Sequence, residues 1–297
     1  MLGIGGGGDV VGALGVAREL EALGLEVVLG GTTWERAVVD PRPGPRPMSE
    51  VSGGRQIAET ALLADADTRT PSGVSFSEAL VAAHLGVETV LIDPTRGPAA
   101  AAAGITEAAA HLGCDVVAYV DVGGDVLAYG HEEGLGSPLC DAVMLAAAVH
   151  ASKRVPAIAC VVGAGCDGEL TPDEVIERFE ELVEHDGWLG TIPISASVAT
   201  EMREVARTVP TEASVQTARC ALGERGEALI RGGLRRVQLT SHGGLAIFFD
   251  PQRAVRVAAP LTGAVLEAPS LEHARETLID RGVSTELDFE RKRGLER

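Results

Sequence analysis

Aromatic side chains make up only 3% of this 297-residue chain, which argues against flat stacking pockets. Lysine is nearly missing: Lys153 and Lys292 stand alone, and arginine supplies 23 of the 25 basic residues. Those cations are outnumbered by 43 Asp and Glu, for a net charge of -18. A basic face able to neutralise nucleic-acid phosphates is therefore excluded. The seven histidines show no HxxxH or HExxH spacing, so a histidine-rich metal site has no support. The five cysteines, Cys114, Cys140, Cys160, Cys166 and Cys220, form an odd set without a CxxC pair. That pattern fits reduced, buried thiols better than a disulfide framework or a zinc ribbon. No apolar run reaches the roughly 18 residues of a membrane span; even the alanine-rich stretch 98–113 is broken by Gly104, Thr106, Glu107 and His111. The start of the chain lacks a cationic segment followed by an apolar one, so a cytoplasmic protein without an export signal is expected. GxxxxGK[ST] is also missing, which speaks against a Walker-type NTPase.

What is present is a globular composition, 45% hydrophobic and 23% charged. The length allows one large α/β domain or two small ones. No credible boundary interrupts it, so a single domain over 1–297 is expected, with 288–297 as a frayed tail. Surplus carboxylate keeps a protein hydrated where molar salt screens charge to about 3 Å, so the composition predicts a halophilic protein. An acidic protein from a GC-rich organism would share the arginine preference. Unfolding midpoints at low and molar KCl separate the two.

The dominant pattern is a short apolar strand, a glycine-rich polar loop and a helix. It predicts strands at 1–4, 26–29, 89–92, 116–120 and 157–162, with helices at 10–23, 99–112, 138–150 and from 172 to about 184. Thr171-Pro172-Asp173-Glu174 is a strong helix start: Thr171 caps, Pro172 fits the first turn, and Glu174 completes a capping box. Residues 199–231 read as largely helical, 236–239 and 246–249 as a hairpin, and 271–280 as the last helix. Alternating strands and helices imply a Rossmann-like, mostly parallel, doubly wound sheet with helices on both faces. Antiparallel edge strands are expected near the C-terminus.

In such sheets ligands bind outside the carboxyl ends of the strands. Here those ends are polar and glycine-rich. The first holds Gly5, Gly6, Gly7, Gly8 and Asp9; the next Gly30, Gly31, Thr32 and Thr33; then Asp93 and Thr95; then Asp121, Gly123, Gly124 and Asp125; and finally Gly163–Gly168 in number order 163–168. Tight turns need glycine whatever their function, but the convergence of several such loops points to a crevice. The first loop is the phosphate candidate, because consecutive glycines let backbone N–H groups approach an anion. Gly3, Gly5 and Gly8 match GxGxxG, yet the strand before them is a stub and the second strand ends without Asp or Glu. The dinucleotide fingerprint is therefore weak. Asp9 either caps the following helix or holds a ribose or metal. Asp121, Asp125, Glu132 and Asp141 sit on one loop system and suit a hard cation such as Mg²⁺ or Mn²⁺. The plainer role of these acids is a solvated acidic loop, with Asp141 as a cap.

Four stretches together resemble an uncharacterised prokaryotic family, the domain-of-unknown-function family eleven fifty-two: GGGGDVVGA at 5–13, IDPTRG at 92–97, DVGGDVLAYGHEEGLGSPLCDA at 121–142 and PTEAS at 210–214. The resemblance covers most of the chain and implies a Rossmann-like fold, without supplying an activity or catalytic residues. The functional expectation is a cytoplasmic protein that binds a nucleotide or phosphorylated metabolite as a metal-assisted enzyme. Two alternatives stand beside it: a dinucleotide-dependent enzyme using the same crevice, and a non-enzymatic ligand-binding or regulatory protein. The expected partner is a small molecule, not nucleic acid or membrane, and self-association is left open.

Overall fold

The computed structural model describes residues 1–295, in which strands and helices alternate around one large sheet. The strands are β1 (Leu2–Gly3), β2 (Gly30–Thr32), β3 (Arg55–Ala58), β4 (Ala61–Ala64), β5 (Thr89–Ile92), β6 (Val117–Val122), β7 (Ala157–Val162), β8 (Trp188–Pro193), β9 (Gly226–Ile230), β10 (Arg235–Leu239) and β11 (Leu245–Phe249). The helices are α1 (Asp9–Glu21), α2 (Ser77–Leu85), α3 (Gly97–Leu112), α4 (Pro138–Ala151), α5 (Pro172–Glu184), α6 (Ala196–Val205), α7 (Ala213–Ala221), α8 (Pro251–Val257), α9 (Pro260–Val265), α10 (Leu271–Asp280) and α11 (Glu286–Leu295).

Nine strands lie in the order β3-β4-β5-β2-β1-β6-β7-β11-β8. The centre, β5-β2-β1-β6-β7, is parallel, and antiparallel pairs extend both edges. Read by the parallel strands alone, this is the doubly wound Rossmann order, with a switch point where β1 meets β6. From β1 the chain crosses through α1 to β2 on one side; β6 lies on the other. The stub β1 thus sits mid-sheet, hydrogen-bonded to both neighbours.

Burial follows the two-residue strand period. Val117 and Tyr119 of β6 pack into one core with α3 and α4, while Val120 and Val122 pack into a second with α1, α6 and α7. The helix α1 lies close to the sheet because Gly12 lacks a side chain where Val122 presses, and Gly15 lacks one against Met202. A glycine inside a helix costs roughly 0.5–1 kcal/mol relative to alanine; here it permits contacts that alanine would block. The capping box at α5 forms as read, Thr171 Oγ1 accepting from the Glu174 N–H and Glu174 Oε2 accepting from the Thr171 N–H at 2.7 Å.

Several expectations need correction. The second strand is Gly30–Thr32 rather than 26–29: Gly30 pairs with Leu2 of β1, and Gly30, Gly31 and Thr32 pair with Val90, Leu91 and Ile92 of β5. Consequently Gly30, Gly31 and Thr32 are strand residues, not a ligand loop. The proposed hairpin of 236–239 with 246–249 does not form: β10 pairs with β9 in a separate two-stranded sheet, and β11 inserts between β7 and β8. The stretch 199–231 is helical only through α6 and α7, after which it enters β9. The segment 51–85, to which no element is assigned from sequence, supplies β3, β4 and α2. The tail expected to fray is the helix α11 through Leu295, with Glu286 and Glu290 buried, while 296 and 297 lie outside the described residues.

Candidate carboxylate site at the switch point

Asp121 shares its strand parity with Val117 and Tyr119, so it faces the side of the sheet covered by α4. That helix starts beyond β6, with Asp141 in its first turn. Asp9 opens α1, immediately after the glycine loop that leaves β1. One carboxylate oxygen from each of Asp9, Asp121 and Asp141 lies within 4.8 Å of the others. Three sequence segments therefore meet at the β1/β6 switch point. A second group, Asp125, Asp167 and Glu169, meets the same 4.8 Å criterion, and Asp121 and Asp125 are close enough to interact electrostatically. Asp121, Asp125, Asp141 and Asp167 are buried, whereas Asp9 is half-buried and reaches the surface.

The glycines of the first loop accommodate acids. A Cβ on Gly5 would lie 2.6 Å from Asp9 Oδ2 and 2.9 Å from both Asp141 oxygens. On Gly7 it would meet both Glu35 oxygens at 2.5 Å and Ser77 Oγ at 2.6 Å. On Gly6, whose φ of +145 already favours glycine, it would strike Arg36 Nε at 2.6 Å. Gly5 also donates its N–H to Asp9 Oδ2 at 2.8 Å, so Asp9 folds back onto the loop instead of capping α1. Gly8 abuts Thr211 Oγ1, and its carbonyl accepts from Ser214 Oγ at 3.2 Å, which brings the PTEAS stretch onto the same loop. A bare pyrophosphate at this loop would face Asp9 and Asp141.

Burial is the largest cause of the electrostatics here, and each acid raises its neighbours further. Asp9, Glu35 and Asp167 are pushed up to about 7. Asp121, Asp125, Asp141 and Glu78 are driven well above the carboxylate range, also by burial first and then by adjacent acids. Such a cluster holds protons at neutral pH or needs a cation. Asp141 Oδ1 is buried with no hydrogen-bond partner among the described residues, as are both oxygens of Glu78 and Nη1 of Arg36. Arg36 Nη1 lies 3.3 Å from Glu286 Oε1, close enough for charge pairing, but the angle makes no hydrogen bond. Arg36 is still 27% exposed, so its guanidinium can meet a ligand.

The remaining sequence candidates fall elsewhere. Glu132 does not join the acids: it accepts the N–H groups of Tyr129, Gly130 and His131 at 2.7, 2.8 and 3.1 Å and pairs with Arg178. Burial pushes its carboxyl up, but those donors outweigh it and leave it below the usual range. Asp93 ties its own loop, accepting from Met48 N and from Thr95 N and Oγ1. Gly31 is pinned against Glu78, and Thr32 faces Cys140 Sγ at 3.9 Å. Gly123 and Gly124 have φ of +129 and +117 and pack against Asp167 and Val175. Sequence reading missed Glu35, Arg36, Glu78, Glu169 and Glu286. Glu35 was hidden by the misplaced end of β2, beyond which an acid was being sought. Glu286 accepts the N–H groups of Leu139 and Cys140 at 3.0 and 2.9 Å, so α11 anchors the first turn of α4 and with it Asp141. An open groove of about 500 Å³ between α5 and β8, lined by Phe179, Val183, Trp188 and Ile247, lies away from the acids.

Glycine at position 31 can be tested directly. Gly31→Ala puts a methyl group into Glu78 Oε1 and is expected to destabilise by about 1–3 kcal/mol. Adding Glu78→Ala should recover part of that loss in a urea-denaturation double-mutant cycle. Simple additivity would contradict the contact.

No helix among the described residues is long and apolar enough to cross a membrane. No curated protein matches the chain, and no solved structure does. The family described as "Protein of unknown function (DUF1152)" matches residues 1–294. Of the four segments that carry the sequence resemblance, those at 5–13 and 121–142 supply the carboxylate cluster, 210–214 packs on the Gly8 end of the first loop, and 92–97 closes its own loop through Asp93. The chain belongs to this family of unknown function.

Proposed function

We propose that the protein binds Mg²⁺ or Mn²⁺ through Asp9, Asp121 and Asp141, and through the cation the phosphoryl group of a nucleotide or phosphorylated metabolite, as a metal-assisted cytoplasmic enzyme. The observation that carries this reading is the trio of carboxylate oxygens within 4.8 Å, together with the buried Asp141 Oδ1 that has no partner among the described residues. An all-oxygen donor set suits a hard divalent ion. Asp9, the half-buried member, gives the entry path. Arg36, beside Gly6, is the second anchor for an anion: its side chain is 27% exposed, and while Nη1 faces Glu286 the rest of the guanidinium fork can offer N–H groups to a phosphoryl oxygen. A bound cation would supply neutralisation of phosphoryl charge and a more acidic water. Asp125 and Asp167, both raised by burial and neighbouring acids, would hold a proton beside it. The acids around Gly5 and Gly7 disfavour the dinucleotide alternative, since a pyrophosphate without metal would sit among carboxylates.

The test is thermal unfolding in molar KCl with a nucleotide panel, each with and without Mg²⁺ or Mn²⁺. A ligand at 100 times its Kd adds about 2.7 kcal/mol. Stabilisation by metal alone, increased by a phosphorylated probe, is expected. No response to metal removes the cation site. A metal response that no phosphorylated compound enhances removes the phosphoryl ligand and leaves the cation.

A further inference from the structure

Cys166 lies in the loop that follows β7, one residue before Asp167. Its Sγ is 3.9 Å from Sγ of Cys220 on α7, 54 residues away in sequence, and both thiols are buried. We propose that Cys166 and Cys220 are a redox-modification site, closed to a reversible disulfide by hydroperoxides, that staples the Asp167 loop to α7.

The geometry around the sulfurs favours closure. A disulfide needs about 2.05 Å between sulfurs, so about 2 Å of movement suffices from the present 3.9 Å. Space for it comes from Gly243: a Cβ there would lie 2.6 Å from Cys220 Sγ and 2.9 Å from Cys166 Sγ. The other thiols are differently placed. Cys140 faces Thr32, Cys160 is an apolar residue of β7, and Cys114 is half-buried apart from this pair. The Cys166 thiol also donates toward the Gly243 carbonyl at 3.8 Å, and its contact with Cys220 holds Cys220 below the usual thiol range, which makes Cys220 the nucleophile.

Access comes from the cover over the pair. Ala228, Ile230, Val237 and Leu239 of β9 and β10 form a small separate cluster with the two cysteines. An isolated two-stranded sheet is marginally stable, so local opening admits a small oxidant. The Cys220 thiolate attacks the peroxide O–O bond, giving a sulfenic acid and releasing hydroxide or alkoxide. The Cys166 thiol then attacks the Cys220 sulfur; the S–O bond breaks, its oxygen leaves as water with the Cys166 proton, and the S–S bond forms. Two thiols lose two electrons, and the peroxide takes them. A dithiol reverses the step.

The staple would act on the loop that carries Asp167 and Glu169. That loop is already held by Arg231 and Arg235, at 3.1 and 2.9 Å from Glu169 Oε1. The inference does not depend on the cation. The experiment treats the intact chain with hydrogen peroxide, counts thiols after denaturation, and maps peptides without reduction. Five thiols before treatment should fall by two, with a Cys166–Cys220 cross-linked peptide that dithiothreitol dissolves. Cys114→Ser should behave like the wild type, and Cys220→Ser should form no such cross-link. An undiminished thiol count, a cross-link involving Cys114, or sulfinic acid at Cys220 without a cross-link would overturn the proposal. The peptide map of the wild-type chain decides this even if a variant fails to fold.

Discussion

Replacing Asp141 with asparagine is expected to weaken Mn²⁺ binding at least 100-fold, while the metal-free protein becomes more stable. The two effects have opposite signs for one reason. In the metal-free state the Asp141 carboxyl is buried beside Asp121 and Asp9, and the neighbouring acids add to a desolvation cost. Asparagine keeps the shape and removes the charge. With metal present, the same charge is a ligand, and a 100-fold loss corresponds to about 2.7 kcal/mol. Titration calorimetry with Mn²⁺ measures the first effect and urea denaturation in EDTA the second. Equal Mn²⁺ affinity in Asp141→Asn and wild type would sink the assignment of Asp141 as a ligand. Glu132→Gln is the control: its carboxylate closes the 129–132 turn, so its Mn²⁺ affinity should stay at the wild-type value.

The second large effect is on pH dependence. Asp9 and Asp167 are raised from 3.8 to about 7, and Glu35 from 4.5 to about 7, burial being the largest cause for each. A raised carboxyl contributes fully below its unfolded pKa, where both states are protonated. As pH climbs from about 4 to 7, the unfolded chain releases protons that the folded chain keeps, so stability falls across that window, and Asp121, Asp125, Asp141 and Glu78, driven up by burial and neighbouring acids, add to the fall. One pH unit on one group is about 1.4 kcal/mol, so a single carboxyl held protonated across about two pH units already costs about 3 kcal/mol. Paired acids such as Glu169, held below the usual range by Arg235 and Arg231 against the effect of burial, act in the opposite sense but at more acidic pH. Urea denaturation in EDTA and molar KCl, where surface repulsion is screened, isolates the buried cluster. Adding Mn²⁺ should flatten or reverse the trend, because the cation selects the ionised carboxylates and its binding releases protons. Stability that is level or rising from pH 4.5 to 7 without metal would contradict the buried-acid reading.

Much of this protein was legible residue by residue. The β5, β7 and α10 boundaries match the sequence reading, and those of α3, α4 and α5 match it to within two residues, because those segments carry uninterrupted periodicity with clear stops. The Thr171 capping box is local chemistry, and it forms as its spacing dictates. Asp9 and Asp121 stood out as acids beside glycine loops at strand ends and Asp141 as an acid one turn into the following helix, and the sheet brings them together because β1 and β6 are neighbours. Local patterns also located the loops. They did not separate Asp121 and Asp141 from Glu132, since all three lie within one 22-residue motif while their side chains go to different places. The turn at 129–132 satisfies Glu132 with its own backbone, and only strand parity and the start of α4 turn the other two toward Asp9.

What tertiary structure alone decided is where partners come from and what the glycines do. A phosphate loop and a loop packed with carboxylates need the same small residues, because both require something to approach the backbone closely; only the positions of Glu35, Asp141 and Arg36 show which one Gly5–Gly7 in fact surrounds, 5–7 being lined by their side chains. The β11 strand looked like half of a hairpin because sequence proximity favours local pairing, yet it pairs with β7 and β8, where its apolar residues fill both faces of the sheet. The tail looked disposable from its charge. Glu286 nevertheless caps α4 and Glu290 accepts the Trp34 indole N–H at 3.1 Å, partners 146 and 256 residues distant. Composition and periodicity determined the layers, the alternation and the acidic character, because these depend on neighbours along the chain. The carboxylate cluster, its protonation and its anchoring by α11 depend on contacts across the fold, and no local pattern encodes them.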